Sequence, residues 1–273
     1  MTADHSRLLS RYSLDAELVC KTAIHVGAGK ASTDVRAASD LPVVRNGSGD
    51  PYVPGSSFRG ALRSGLEALL RGLGRDEKDF RVCDPFGDDR CAKRIEEKKK
   101  EKEKQGTKLD EEGLFRIALD DSCQICRLFG NTYLASRLWI ADLPLAAGQN
   151  GSIYRRDGVG LDRDLRNAAK NMLYDFEAVT AGTRFRLRLD LDNPEQHELG
   201  LVLTGLDLFG QGFLNVGGKR ARGLGEAEIK ISELKRWTAA DFFDPAKRGG
   251  TAVQEAEFNV FCDAARRHYV GGA

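Results

Sequence analysis

Residues 173–192, LYDFEAVTAGTRFRLRLDLD, predict two successive strands around a tight turn, and the fold class follows from the elements on either side of them. The second half alternates arginine or aspartate with four apolar residues, which are Phe185, Leu187, Leu189 and Leu191. Alternation with a period of two is typical of a strand that buries one face. The Thr-Ala-Gly segment at 180–182 separates this strand from the preceding aromatic and apolar stretch, as a turn does.

Helix and strand patterns flank these two strands on both sides. Downstream, residues 195–210 are predicted to form a helix and residues 223–231 a strand. Upstream, residues 135–145 are predicted as a strand, residues 50–74 contain an amphipathic helix, and residues 12–27 contain the first strand. We interpret this order as the strand, helix, strand, strand, helix, strand pattern of a ferredoxin-like fold, the split β-α-β arrangement in the α+β class, with one predicted strand more than that pattern contains.

Two excursions interrupt this order within what we interpret as a single domain, residues 1–273. The first covers residues 80–130 and the second covers residues 146–172. Residues 92–113 of the first are almost wholly charged, with lysine and glutamate intermixed. This mixture favours a solvated helical or disordered segment over a nucleic-acid-binding tract.

The composition predicts a soluble, cytoplasmic protein without a membrane span. The formal net charge is +1, no signal-peptide pattern is present, and no apolar run approaches the ~20 residues that a membrane-spanning helix needs. Basic residues nevertheless concentrate in three segments, which are the helix with Arg59, Arg63, Arg71 and Arg75, residues 154–170, and residues 217–222. A local basic surface suits a phosphate backbone, but a solvated face carries the same charges without a ligand, so charge alone leaves both interpretations open.

Four of the six cysteines fall in the first excursion, namely Cys83, Cys91, Cys123 and Cys126. Cys123 and Cys126 have the C-x₂-C spacing with which two thiolates bind one tetrahedral zinc ion, and Cys83 and Cys91 would complete an all-cysteine site. Redox chemistry is the main alternative for the C-x₂-C pair, but the thioredoxin-like βαβ setting is missing, so the sequence favours structural zinc. Cys20, within an apolar strand, is predicted to be a buried thiol.

Four stretches together resemble the RAMP superfamily, the RNA-binding proteins of CRISPR systems. They are HVGAG at 25–29, DLPVVRNGSGDPYVPGSSFRGALRS at 40–64, CQICRLFGN at 123–131 and GGKRARGLGEAEI at 217–229. The chain is most similar to the backbone subunit of type III effector complexes, which polymerises along the guide RNA. The resemblance implies an RRM-related ferredoxin-like core, and as partners a CRISPR guide RNA, a target RNA, other copies or related RAMP subunits, and the remaining proteins of the complex.

The resemblance implies that the guide RNA passes along the glycine-rich loop and the start of the basic helix. The residues it marks as RNA-binding are His25, Ser56, Ser57, Arg59, Arg63, Arg163, Gly217, Gly218, Lys219, Arg220 and Arg222. Ser56 or Ser57 is also expected to cap the helix, and a helix N-terminus attracts anions. An ordinary capped helix with solvated arginines is the alternative for this segment, and packing is the alternative for His25. The excursion at 146–172 corresponds to a thumb-like projection over the guide.

Asp40, in SDLPVV, matches the position of the acid in those family members that cut target RNA. A carboxylate there would act as a base on the 2′-hydroxyl or hold a divalent metal, with magnesium expected, and would leave a 2′,3′-cyclic phosphate. Loop aspartates also form turns, and Asp34 and Asp50 lie nearby. The prediction is therefore a metal-dependent endoribonuclease subunit; the alternatives are a non-catalytic structural or cap subunit and a guide-processing RAMP endoribonuclease that uses a histidine.

Overall fold

The computed structural model describes residues 7–28, 39–75, 80–106, 108–161, 164 and 168–271. The strands are β1 Ser10–Cys20, β2 Leu138–Ile140, β3 Ile153–Leu161, β4 Ala168–Val179, β5 Arg184–Asp192, β6 Ala227–Thr238 and β7 Thr251–Ala252. The helices are α1 Gly55–Gly72, α2 Cys91–Lys104, α3 Glu111–Asp121, α4 Gln124–Phe129, α5 Gln196–Gly210 and α6 Glu255–Tyr269. Within this described part, no helix is both long and apolar enough to span a membrane.

Five strands form one antiparallel sheet in the order β2-β5-β1-β6-β7. Leu14 of β1 lies opposite Leu189 of β5, and Leu18 lies opposite Phe185. The predicted alternation is confirmed, since the alternating apolar residues of both strands are at most 2% exposed, namely Leu14, Ala16, Leu18 and Cys20 in β1 and Phe185, Leu187, Leu189 and Leu191 in β5. With the excursions set aside, the chain runs β1, α1, β2, β5, α5, β6, which is the order that the sequence predicts.

Helices α1 and α5 pack with the apolar face of this sheet in a single core. The rings of Phe58 and Phe209 stack with their centroids 5.0 Å apart. Gly205 allows the close approach of the two helices, because a Cβ there would lie 2.7 Å from Leu62 and 2.9 Å from Leu66. The core therefore fixes the direction in which α1 leaves the sheet, and with it the position of the helix N-terminus.

Strand β4 is the first of the two strands predicted at 173–192, but it does not belong to the main sheet. It pairs with β3 in a separate two-stranded sheet, with Asp157 opposite Asp175. A single bridge between Ile24 and Val179 connects the base of this hairpin to the segment after β1. The second excursion thus continues to residue 179, beyond the predicted end at 172, because a periodic pattern identifies a strand but not its pairing partner.

The charged part of the first excursion is helical rather than irregular. Helix α2 and helix α3 pack against each other, and the fully buried Ile95 and Ala118 each belong to the main core. Their remaining faces are solvated lysines and glutamates, as the mixed charges predict. This excursion brings all four of its cysteines to the core.

Candidate nucleic-acid interface and metal centre

The four cysteines of the first excursion converge into one buried cluster. All their Sγ atoms lie within 4.8 Å of one another, with Sγ–Sγ distances of 3.6 Å for Cys83–Cys126 and 3.8 Å for Cys83–Cys123. A tetrahedral ion with metal–sulfur bonds of about 2.3 Å requires sulfur–sulfur separations of about 3.8 Å. The donor set and its spacing therefore fit a sulfur-preferring tetrahedral metal ion, and these four residues could hold one.

Local hydrogen bonds orient the sulfurs toward one another. Cys123 is the N-cap of α4, where its Sγ accepts from the N–H of Cys126 at 3.5 Å, and its own N–H donates to Cys91 Sγ at 3.2 Å. Hydrogen bonds from Cys126, Cys83 and Cys91 lower the pKa of Cys123, which favours a thiolate there. Two guanidinium groups approach the cluster, Arg63 at 3.5 Å from Cys126 Sγ and Arg94 at 3.2 Å from Cys91 Sγ.

The arginines of α1 make internal contacts with the cysteine-bearing excursion. Arg59 donates to the carbonyl of Phe129 and to Ser136, and its guanidinium lies 5.4 Å from the ring centre of Phe129. Arg63 donates to Glu67 at 2.8 Å and to the carbonyl oxygen of Gly130 at 3.3 Å. These contacts account for the positions of both guanidinium groups, which lie against the excursion and not in solvent.

The N-terminus of α1 is built differently from the predicted cap. Pro54 is the N-cap, no side chain caps the helix, and the N–H of Gly55 donates to Asp142 at 2.8 Å. The expectation that Ser56 or Ser57 caps the helix is wrong, because both lie inside its first turn. Their side chains are exposed there, so both hydroxyl groups point away from the core at the positive end of the helix dipole.

Contacts within the protein require part of the glycine content of the glycine-rich loop. The N–H of Gly218 donates to the carbonyl of His25 at 2.8 Å. Gly217 has a φ of +80°, and a Cβ there would lie 2.3 Å from the same carbonyl oxygen. The resemblance explains the absence of side chains in this loop by a bound RNA. At Gly217 the segment that approaches closely is the backbone of His25.

The cations of the same loop lie above two aromatic rings of β4. Lys219 Nζ lies 5.1 Å from the ring centre of Tyr174 and 5.2 Å from that of Phe176, and the Arg222 guanidinium lies 5.1 Å from Tyr174. Arg220 is exposed and donates to Asn215 at 3.0 Å. Lys219 also has a φ of +64°, which is uncommon for a side-chain-bearing residue and often occurs at functional sites.

His25 packs beneath this loop. It is 7% exposed, and its ring meets the ring of Phe176 edge-on at 5.7 Å. Its Nδ1 lies 2.7 Å from the carbonyl oxygen of Glu177. A carbonyl only accepts, so Nδ1 carries a proton and donates to Glu177. The packing alternative for His25 is thus confirmed, and its contact with RNA stays a prediction.

Asp40 is exposed and is held against β4 by a reciprocal pair of hydrogen bonds. Its N–H donates to Asp175 Oδ1 at 2.7 Å, and the N–H of Asp175 donates to Asp40 Oδ2 at 3.1 Å. The bond from the Asp40 amide, then the hydroxyl of Ser39 and the charge of Arg155, lower the pKa of Asp175. Arg155 Nη1 lies 3.3 Å from Asp175 Oδ2. Asp40 therefore has a defined position, unlike an ordinary loop carboxylate.

The other candidate acids and the predicted thumb residue are not at this position. Asp50 belongs to a turn, where its N–H donates to Asn46 Oδ1 at 2.9 Å. Asp34 and Arg163 lie outside the described residues. Sequence reasoning missed Tyr174, Asp175 and the residues that follow them on β4. The alternation of aromatic and acidic residues in LYDFEAV was the available signal, since it gives a strand two different faces.

A family model of the RAMP superfamily matches residues 17–228, which is most of the chain. The chain belongs to the RAMP superfamily. Two curated relatives carry the same name, CRISPR system Cms endoribonuclease Csm3. The protein from Methanothermobacter thermautotrophicus is 38% identical over 65 residues, which span only 23% of this RAMP chain and 26% of that relative. The protein from Methanocaldococcus jannaschii is 23% identical over 242 residues, 84% of this chain and 81% of that relative.

Proposed function

We propose that this RAMP protein is a guide-RNA-binding backbone subunit of a type III CRISPR effector complex and that it cleaves guide-complementary target RNA. The observation that carries the proposal is the fixed position of Asp40 against β4, the strand whose aromatic rings contact the basic loop. The names of the two relatives and the order of the elements, which is that of a ferredoxin-like core, support it further. The β3–β4 hairpin is the counterpart of the family's thumb in this proposal.

The guide path in this proposal follows the loop cations and the start of α1. Lys219, Arg220 and Arg222 supply positive charge, and Gly218 and the exposed Ser56 and Ser57 leave room for a phosphate. Arg59 and Arg63 are left out of the direct contacts, because their guanidinium groups already bind carbonyls and sulfur. Phosphate contacts of this kind bind without reading sequence, which suits a protein whose specificity comes from the guide.

The chemistry assigned to Asp40 is proton removal from a 2′-hydroxyl. Within the described residues, only Oδ2 of Asp40 accepts a hydrogen bond, so Oδ1 is available to the substrate. The activated 2′-oxygen attacks the adjacent phosphorus, the bond to the 5′-oxygen breaks, and a 2′,3′-cyclic phosphate and a 5′-hydroxyl result. A magnesium ion held by Asp40 would supply charge stabilisation at the phosphate oxygens.

We assign structural zinc to the cysteine cluster. Four buried sulfurs at tetrahedral spacing match the ligand set of closed zinc sites, which stabilise a fold and take no part in catalysis. The site joins the ends of α2 and α4 to the segment around Cys83. It thereby joins the separate parts of the first excursion to one another.

A cleavage assay on guide-complementary RNA with the assembled complex tests the proposal. Asp40→Ala should abolish cleavage, leave assembly and target binding unchanged, and produce the same effect as chelating divalent metal, because the substitution removes only the base or metal ligand. Asp50→Ala is the matched control, since it removes an equally exposed aspartate of the same loop region. Full activity of Asp40→Ala would refute the catalytic role, and an inactive wild-type complex that still binds target would identify a binding-only subunit.

A further inference from the structure

Strand β4 contacts the Asp40 loop at two alternate positions of one face, Asp175 and Glu177. At the first, Asp175 and Asp40 exchange the two backbone-to-carboxylate bonds described above. At the second, Glu177 N–H donates to the carbonyl of Leu41, and Glu177 Oε2 accepts from the N–H of Val43 at 3.0 Å. Arg45 closes the set with two bonds of 3.1 Å to the Glu177 carboxylate. The loop thus runs beside β4, and its Asp40 and Val43 amides donate to the carboxylates of Asp175 and Glu177, where a paired strand would offer backbone carbonyls.

We propose that Asp175 is a positioning residue for Asp40: its carboxylate holds the Asp40 backbone, and its amide orients the Asp40 carboxylate. The inference rests on the proposed function in assuming that Asp40 meets the substrate. The hydrogen bond from the Asp175 amide to Oδ2 fixes the orientation of the Asp40 carboxylate, and the proposal assigns the contact with the substrate to Oδ1. Asp175 does not act as a second free carboxylate, because its Oδ1 accepts from the Asp40 amide and its Oδ2 pairs with Arg155.

The reason for such an arrangement lies in the surroundings of Asp40. The residue is exposed and no core packing restrains its side chain. A displacement of about 1 Å in a reacting group costs roughly 100-fold in rate. The opposite face of the same strand presents Tyr174 and Phe176 to the loop cations. One strand therefore sets the separation between the basic loop and the carboxylate.

The experiment compares Asp175→Ala, Asp175→Asn and Asp157→Asn in the assembled complex. Asparagine keeps an oxygen that accepts from the Asp40 amide, whereas alanine removes it. Asp157 lies directly opposite Asp175 in the hairpin and is exposed, so its substitution changes charge equally without touching Asp40. Single-turnover cleavage at saturating target should fall roughly 10- to 100-fold in Asp175→Ala, recover most of its rate in Asp175→Asn, and stay at the wild-type rate in Asp157→Asn.

A second readout does not depend on cleavage. Hydrogen–deuterium exchange of the peptide covering residues 39–45 should accelerate in Asp175→Ala and stay slow in Asp175→Asn, since the amide acceptor is the group that protects it. If Asp175→Ala cuts as fast as Asp157→Asn while Asp40→Ala is inactive, the positioning role is refuted and the proposed function stands. If the wild type does not cut, the proposed function fails, and equal exchange in the wild type and Asp175→Ala then refutes the positioning role separately.

Discussion

At the scale of single residues, two side-chain arguments from the sequence met different outcomes. Cys20 is buried as predicted, and burial raises the pKa of its thiol to about 12, so it stays a neutral packing residue. Arg59 and Arg63, which motif position assigns to RNA, donate to carbonyls of the neighbouring excursion, and their contact with RNA is untested. The sequence pattern of a basic helix residue is the same whether its partner is a phosphate or a backbone carbonyl.

Substitution of Gly217 tests how much a steric contact adds to the cost of a left-handed backbone conformation. Gly217→Ala should destabilise the protein by well over the roughly 1–2 kcal/mol that a left-handed backbone costs a side-chain-bearing residue, because its Cβ would also meet the His25 carbonyl. Gly223→Ala, at a φ of +77° with open space around it, should cost only that amount. Urea unfolding of the two variants measures both free energies, and equal losses would contradict the close approach.

At the scale of elements, the cysteine excursion and α1 form one unit through charged contacts. Arg63 reaches from α1 to Cys126 Sγ, and Arg94 reaches from α2 to Cys91 Sγ. A four-thiolate zinc site carries a net charge of about −2, which two guanidinium groups offset. The sequence identified the four sulfurs, but these two arginines became visible only when three-dimensional contacts were known.

We expect Arg63→Gln to weaken zinc retention by roughly 10- to 100-fold, the range typical for groups that hydrogen-bond to metal ligands. Elemental analysis should find about one zinc per chain in the wild type, and transfer to a colorimetric chelator should be faster in the variant. Arg116→Gln is the control, since Arg116 pairs with Glu112 on the exposed face of α3, away from the sulfurs. Wild-type protein free of zinc, or identical transfer rates in both variants, would contradict this role.

At the scale of the whole molecule, the chain is nearly neutral but its charge is unevenly arranged. Although the net charge is only +1, one loop carries the three cations Lys219, Arg220 and Arg222 within four residues. Binding to a phosphate backbone depends on this local charge and not on the total. The affinity of the molecule for RNA should therefore respond to salt far more than its net charge suggests.

RNA affinity should fall steeply as salt increases, and Lys219→Ala should lower the affinity for all guide sequences alike while reducing the salt slope by about 1. Fluorescence anisotropy over a salt series measures both quantities. Lys230→Ala, an exposed lysine in the middle of β6, is the matched control and should leave the slope unchanged. A change of sequence preference at constant affinity would show that Lys219 contacts bases instead of phosphates.

The sequence alone was enough to predict the strands and helices of the main core and to select four cysteines that could hold a metal ion. Period-two alternation placed Phe185 and its companions on the buried face, and the C-x₂-C pair with two further cysteines predicted one cluster, because burial and thiolate chemistry are properties of residue type and local spacing. Its four motifs also led to the RAMP superfamily. Asp40 was selected by motif position, and no local pattern distinguished it from Asp50.

The pairing of the strands and the surroundings of Asp40 could be known only from the three-dimensional structure. β4 pairs with β3 and not with β5, and Asp175 meets Asp40 across 135 residues of sequence. Contacts of this kind depend on where the core fixes distant segments, and no local periodicity records that information. The same holds for His25 beside Gly217, where the close approach of the His25 carbonyl requires a residue without a side chain.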